Sequence, residues 1–371
     1  MEAKQIECCI MRGGTSKGVF VKSSHLPDDR QLRNGLLQDL LGRDTLQFNG
    51  IGGAHMQASK AVLIDSCRNG VADISYRCVQ VVPSRGVDDG VPCGNLAVAA
   101  GPGALEMGLL PAVDPTTTVR MIDVNTQARI DVTVQTPGAQ VTYQGSHRLH
   151  NMGCAAPIEM SYLNIAGSRT GRMWPAGAPK VNLLEVPATI IDAAVPVVIV
   201  PAYYLGLSGS ERARELAMGN RDLVDRLLAL RSRAARMIGM RDVSRTVLPK
   251  IALIAAPDNM NANLRAWYFT PQSLHHAMPI TGSIAIASAA CTPGTVVADL
   301  ASGFPRRQPG RHSIRIEHIS GAIDLDIELA EDGTPHCAHV VSTARLLMRG
   351  VAYLPEPAAD LAPETGFRFP A

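Results

Sequence analysis

The sequence predicts an α+β fold of two pseudo-symmetric halves, each a curled, mostly antiparallel sheet around one central helix. Three observations predict it. Stretches with period-two alternation dominate the strong secondary-structure signals. An internal repeat runs through the chain at a nearly constant offset. Two short segments, one per half, are apolar all round and rich in small residues, the composition of a helix enclosed on every side.

The elements follow in chain order. D-D-R-Q-L-R-N-G-L-L-Q-D-L-L (28–41) has the spacing of an amphipathic helix. L-A-V-A-A after Asn95 has no polar face and reads as the first buried helix. R-I-D-V-T-V-Q (129–135) alternates Ile130, Val132 and Val134 with polar residues and reads as a half-buried strand. Much of 210–240 is amphipathic, with Ser210 as its N-cap and Glu211 behind it. A-I-D-L-D-I-E-L (322–329) repeats the strand pattern with Ile323, Leu325, Ile327 and Leu329.

The repeat ties these together. S-K-A-V-L-I (59–64) resembles P-K-I-A-L-I (249–254), C-G-N-L-A-V-A (93–99) resembles T-G-S-I-A-I-A (281–287), and I-D-V-T-V (130–134) resembles L-D-I-E-L (325–329). The offsets are 190, 188 and 195 residues, in the same order in both halves. Single short apolar matches recur by chance; three in one order at nearly one offset predict a duplication. The expected boundaries are 1–185 and 186–345, followed by a C-terminal segment, 346–371. Each half carries a lysine-bearing strand, a small-residue helix and then a hairpin.

Composition narrows the function. Lys and Arg number 35 against 33 Asp and Glu, a net charge of +2, with no basic run of the kind that binds nucleic acid. The most apolar stretch, 193–207, is broken by Pro196 and Pro201 and is too short to span a bilayer. Eight cysteines form no CxxC pair and no zinc-type spacing with histidine, and the first residues lack the apolar core of a secretion signal. A cytoplasmic protein with reduced thiols and a small-molecule substrate is expected, with no membrane or nucleic-acid partner.

The two repeated helix starts hold the chemistry. V-P-C-G-N-L places Cys93 where unpaired N–H groups and the helix dipole lower a thiol's pKa, and a core helix has no need of a thiol there. Gly94 and Asn95 follow it; Thr281, Gly282 and Ser283 stand at the equivalent start. Two helix N-termini facing one cleft make a receptor for carboxylates. Threonine where the first half has cysteine argues against racemisation by two opposed thiols. Lys60, on the strand before the Cys93 helix, is then the partner acid or base. Lys250 is either structural or a carboxylate ligand equivalent to Lys60. Against these stand the commoner fates of such residues: most lone cysteines are buried apolar groups, and most lysines are solvated.

Glycine-rich stretches supply false leads. M-R-G-G-T-S-K-G (11–18) fails the spacing of a P-loop, and G-I-G-G-A-H (50–55) lacks the third glycine of a dinucleotide fingerprint. The first remains a loop in which Arg12, Thr15, Ser16 and Lys17 either hydrogen-bond carboxylates or close a tight turn. His275 and His276 lie close enough to Thr281 to line the same cleft. Arg85, Asp88 and Asp89 precede Cys93 and are placed to tune specificity.

Taken together, M-R-G-G-T-S-K-G, I-G-G-A, S-K-A-V-L-I, C-G-N-L, L-P-K-I-A-L-I, H-H-A-M-P-I-T-G and S-T-A-R-L-L-M-R-G-V-A-Y resemble the family of PrpF-like proteins and 4-oxalomesaconate tautomerases over nearly the whole chain. The resemblance implies a diaminopimelate-epimerase-like fold. It implies an isomerase that needs no cofactor or metal and moves a double bond in an unsaturated tricarboxylate by a 1,3-proton shift. It maps catalysis onto Lys60 and Cys93, and substrate binding onto Thr15, Ser16, Lys17, Gly94, Asn95, Thr281, Gly282 and Ser283. A homodimer is the family habit. The rivals are an epimerase or racemase on the same fold and a non-catalytic binder of di- and tricarboxylates. A cysteine hydrolase is weaker, lacking an evident His/Asn partner.

Overall fold

The computed structural model describes residues 5–354, apart from 68–69, 83–85, 89, 91, 150–151, 212–215, 217–220, 241–242, 244–245, 271–272 and 304–307. The first run comprises β1 (Gln5–Gly13), β2 (Ser16–Lys22), α1 (Arg30–Leu41), β3 (Lys60–Ser66), β4 (Ile74–Val82), β5 (Gly86–Asp88), α2 (Gly94–Glu106), β6 (Thr116–Asp123) and β7 (Arg129–Gln135). A small ribbon of β8 (His147–Arg148) and β9 (Cys154–Ala155) precedes β10 (Ile158–Leu163). The second run comprises β11 (Val181–Leu183), β12 (Val186–Ala193), β13 (Val195–Pro201), α3 (Arg221–Met237), β14 (Lys250–Ala255), β15 (Leu264–Thr270) and β16 (Ser273–Leu274). It continues with α4 (Ile280–Cys291), α5 (Val296–Leu300), β17 (Gly310–His318), β18 (Gly321–Leu329), β19 (Pro335–Ser342) and β20 (Ala344–Tyr353).

The pairings repeat. In the first run β1 pairs antiparallel with β2, β2 parallel with β3, β3 antiparallel with β4, β4 parallel with β6, and β6 antiparallel with β7. The second run gives the same sequence of senses through β12, β13, β14, β15, β17 and β18. Short β5 flanks β4 as β16 flanks β15. The runs join where β10, paired to β7, meets β19, paired to β18. β20 crosses back to pair antiparallel with β1, so residues 344–353 add a strand to the first run's sheet.

Each run of strands curls around one helix. α2 touches β1, β2, β3, β4, β6, β7 and β20, while α4 touches β12, β13, β17, β18 and β19. Both are enclosed because neither has a polar face: Gly94–Ala104 and all of Ile280–Cys291 are buried. α2 continues through Gly101, Pro102 and Gly103 to Glu106, beyond the L-A-V-A-A core that sequence defines. Its glycines permit this, since a Cβ on Gly101 would lie 2.6 Å from Val132 Cγ1.

Two amphipathic helices cover the outer faces. α1 starts where Asp29 Oδ1 accepts from the Leu32 N–H at 2.8 Å, an ordinary acidic N-cap. Leu37, Leu40 and Leu41 then pack behind β3 and β4 on Ala61, Leu63 and Val79. Leu223, Leu227 and Leu230 of α3 pack behind β13, β14 and β15 on Val198, Ile251, Leu253 and Trp267. The described helix begins at Arg221, and residues 212–215 and 217–220, between it and the cap expected at Ser210, lie outside the described residues. Among the described residues no helix is long and apolar enough to cross a membrane.

Candidate active site

The two buried helices point their N-termini at each other. A Cβ placed on Gly94, the first residue of α2, would lie 3.0 Å from Ile280 Cβ and 3.3 Å from the Thr281 backbone nitrogen at the start of α4. Glycine is what allows that approach. First-turn N–H groups lack partners within their own helix, so both sets of donors converge on one space. That space is a cavity of about 290 Å³ whose walls include Ser16, Lys60, Gln80, Cys93, Lys250 and Thr281.

Cys93 is the N-cap of α2 in extended conformation, its carbonyl accepting from the Leu96 and Ala97 N–H groups at 3.1 and 3.0 Å. Its thiol is held well below the ordinary range, first because Cys78 donates to it. Lys60, the Leu96 N–H and the Ser16 hydroxyl add to this against the opposing cost of burial. Cys78 is pushed up correspondingly, as the donor to a thiolate must be. These groups all favour the thiolate form of Cys93. Its alkylation by iodoacetamide is expected to run at a rate nearly flat from pH 7 to 9. A free thiol instead gains about tenfold per pH unit below its pKa, and such a gain would contradict the thiolate.

Lys60 opens β3 and donates from Nζ to Gln80 Oε1 at 2.6 Å. Gln80 is the residue across the ladder from Lys60 and is itself fixed by donating to the Ser59 carbonyl at 2.7 Å. Lys250 opens β14 in the same way on the opposite run, and burial followed by the nearby Lys60 and Arg231 lowers it to about 7. His275 is lowered to about 4, chiefly by burial, and is neutral at pH 7. His55 and His276 come within 6.3 Å, ring to ring, at the cavity wall.

The sequence-derived residues divide. Lys60, Cys93, Ser16, Gly94, Asn95 and Thr281 line the one cavity; Thr15, Lys17, Gly282 and Ser283 do not. Thr15 accepts from Asn95 Nδ2 at 2.9 Å, so it braces the head of α2. Lys17 forms a backbone bond to the Gln57 carbonyl, and its amine lies over Gly53. Gly282 lies against the Tyr268 ring, and the buried Ser283 hydroxyl donates to the Pro279 carbonyl at 3.1 Å. Asp88 and His275 line the cavity, as their positions suggested, while Arg85 and Asp89 lie outside the described residues.

Sequence reasoning missed Cys78, Gln80 and the stretch His55–Gln57. The first two had a signal, since C-V-Q puts a thiol and an amide on the same buried face of β4, with Gln80 opposite Lys60 and Cys78 opposite Val62. The third hid behind the failed dinucleotide pattern. A larger cleft of about 610 Å³ shares only Asn95 with the cavity among the described residues and includes neither Lys60 nor Cys93. Elsewhere, Glu328, His336 and Cys337 bring one potential metal-ligand atom each to within 4.8 Å of one another, and none of them lines the cavity.

Residues 3–355 match the family described as PrpF protein. The chain belongs to the PrpF family. It is 39% identical over 356 residues to "putative isomerase YbhH" of Escherichia coli strain K12, covering 95% of this chain and 100% of that one. It is 34% identical to the 4-oxalomesaconate tautomerase of Pseudomonas putida, covering 95% and 96%. A crystal structure of methylitaconate-delta-isomerase superposes with a TM-score of 0.82 at 27% identity, over 98% of this chain and all of the other. A hydroxyproline epimerase from Agrobacterium vitis shares the fold alone, with a TM-score of 0.57 at 12% identity over 95% and 94% of the two chains. The epimerase-like α+β architecture expected from sequence is thus the observed one.

Proposed function

We propose that this PrpF-family chain is a cofactor-independent isomerase that moves a carbon–carbon double bond in an unsaturated tricarboxylate. The substrate is of the 4-oxalomesaconate or aconitate/2-methylaconitate type. The observation that carries the reading is the meeting of the Cys93 thiol and the Lys60 amine in a cavity that two helix N-termini share. A proton next to a C=C–carboxylate unit is acidic only when the dienolate is stabilised. N–H groups of the two helix starts stabilise it. Cys93, already ionised, removes the allylic proton; Lys60, held as a donor by Gln80, returns one two carbons away. Ser16, Gly94, Asn95 and Thr281 hold the carboxylates, and Thr15, Lys17, Gly282 and Ser283 support the segments that do so.

Threonine at the position equivalent to Cys93 sets this reading above the epimerase one, which needs a second thiol facing the first. The halves are taken as 1–185 and 186–345, with β20 completing the first, and the working unit as a cytoplasmic homodimer.

The test is proton NMR in D₂O with cis- and trans-aconitate, 2-methylaconitate, methylitaconate and 4-oxalomesaconate. Deuterium is expected at an allylic carbon of at least one of them, together with a shifted double bond. Tight binding of one acid without exchange in any would make the protein a carboxylate binder. Exchange at a saturated α-carbon of an amino or imino acid, with inversion, would make it an epimerase.

A further inference from the structure

Lys250 is the one cavity lysine that the proposed proton transfer leaves without a task. It opens β14 as Lys60 opens β3, and the parallel β13–β14 pairing repeats β2–β3. Its surroundings differ. Lys60 is anchored to Gln80, whereas no hydrogen bond or ion pair among the described residues holds the Lys250 amine, which lines the cavity. The strand end that carries it is tied to α3. Buried Arg231 of α3 donates to the Pro249 carbonyl at 2.8 Å and the Leu248 carbonyl at 3.0 Å, immediately before it.

We propose that Lys250 is a substrate-binding residue that pairs with a carboxylate on the side of the cavity away from Lys60, taking up a proton as the anion enters. This rests on the proposed function and adds to it the residue that selects for the additional carboxylate. The groups facing Lys250 are Lys60 of β3, Arg231 of α3, Asp88 of β5, Cys93 at the head of α2, and His275 ahead of α4. Burial and the two cations make the amine easy to deprotonate in the empty cavity, against the smaller pull of Asp88 and Cys93. A carboxylate alongside reverses the balance, because an opposite charge at close range favours the ammonium form. Above pH 7 the amine is mostly neutral before binding and charged after it, so binding consumes a proton. Below about pH 6 the amine is already charged, and the uptake vanishes.

Calorimetric titration with trans-aconitate, at pH 6 and pH 8 in buffers of different ionisation enthalpy, reads this directly. A Cys93→Ser background removes both turnover and the cavity thiol, so that Cys93 contributes nothing to the proton count. Uptake approaching one proton per site is expected at pH 8, with little at pH 6. Adding Lys250→Met, which replaces a buried amine by an apolar side chain of similar length, is expected to abolish the uptake and weaken binding at least tenfold. The dicarboxylate mesaconate should lose much less affinity than trans-aconitate. Equal uptake and affinity with and without Lys250 would overturn the inference alone, provided that the wild type still exchanges deuterium into its substrate. Absence of both binding and exchange across the acids would overturn the proposed function as well.

Discussion

Cys93→Ser is expected to lower turnover by roughly 10³-fold or more, within the range a positioned acid or base contributes, while the protein melts at nearly the wild-type temperature. The substitution keeps the shape and the hydrogen bonds of the side chain, and removes only its ability to ionise near neutral pH. The cap of α2 tolerates it, because Cys93 holds the helix start through its carbonyl, and a serine hydroxyl accepts from the Leu96 N–H as readily as the thiol does. Lys60→Met should cost a similar factor. The two together should cost little more than either alone, since groups acting in one proton relay fail as a unit. Initial rates on the acid identified by deuterium exchange, with circular dichroism melts of each variant, check all three. A wild-type rate in either single variant would remove that residue from the chemistry. Additive losses in the double variant would mean that the two act in separate steps.

The elements legible in the sequence were those whose signal is local. The strand 129–135 alternates cleanly and is found at Arg129–Gln135, because one face meets the buried helix and the other meets solvent. The enclosed helices were legible for the opposite reason, their want of any polar face. Legibility ended where a tertiary contact overrides a local rule. The small-residue core seen in the sequence ends at Ala100, yet α2 runs on through Gly101, Pro102 and Gly103, and Gly103 packs against Met11 and Phe20 inside the curled sheet. Nothing local announces that β20 pairs with β1, although two of the family-like motifs meet there. Arg12 donates to the Thr343 carbonyl and hydroxyl at 3.1 and 3.0 Å, across 331 positions of chain. At the site, the thiol, the amine and the helix starts were readable as chemistry. Cys78 and Gln80 showed only as polar positions on one face of a strand, because their contributions, a bond to Cys93 and an anchor for Lys60, depend on the β3–β4 register and on where α2 starts.

The same contrast fixes what R-G-G-T-S-K-G does, and Gly13→Ala is expected to expose it by destabilising the protein by about 2–3 kcal/mol, the upper part of the overpacking range. A Cβ at Gly13 would stand 2.3 Å from the Asn95 carbonyl oxygen, 2.9 Å from Ala99 Cβ and 3.2 Å from the Ala99 nitrogen. Two of these are backbone atoms of the buried helix, so no rotamer change relieves the clash and the β1–β2 turn must lift away from α2. Lifting it withdraws the Ser16 hydroxyl from Cys93, so turnover should fall along with stability. Gly14→Ala would press instead on the Asn95 side-chain oxygen at 2.6 Å, from a backbone with φ +50°, and should break the brace between Asn95 and Thr15. Gly108→Ala is the control. Its φ is +67° but nothing lies within 4 Å, so only the backbone term remains, about 1 kcal/mol. Urea midpoints for the three variants separate the two causes. A Gly13→Ala midpoint no lower than that of Gly108→Ala would mean that turn and helix part without loss. The glycines would then be needed for contact with the ligand, and Thr15 and Lys17 would return as candidates to touch it.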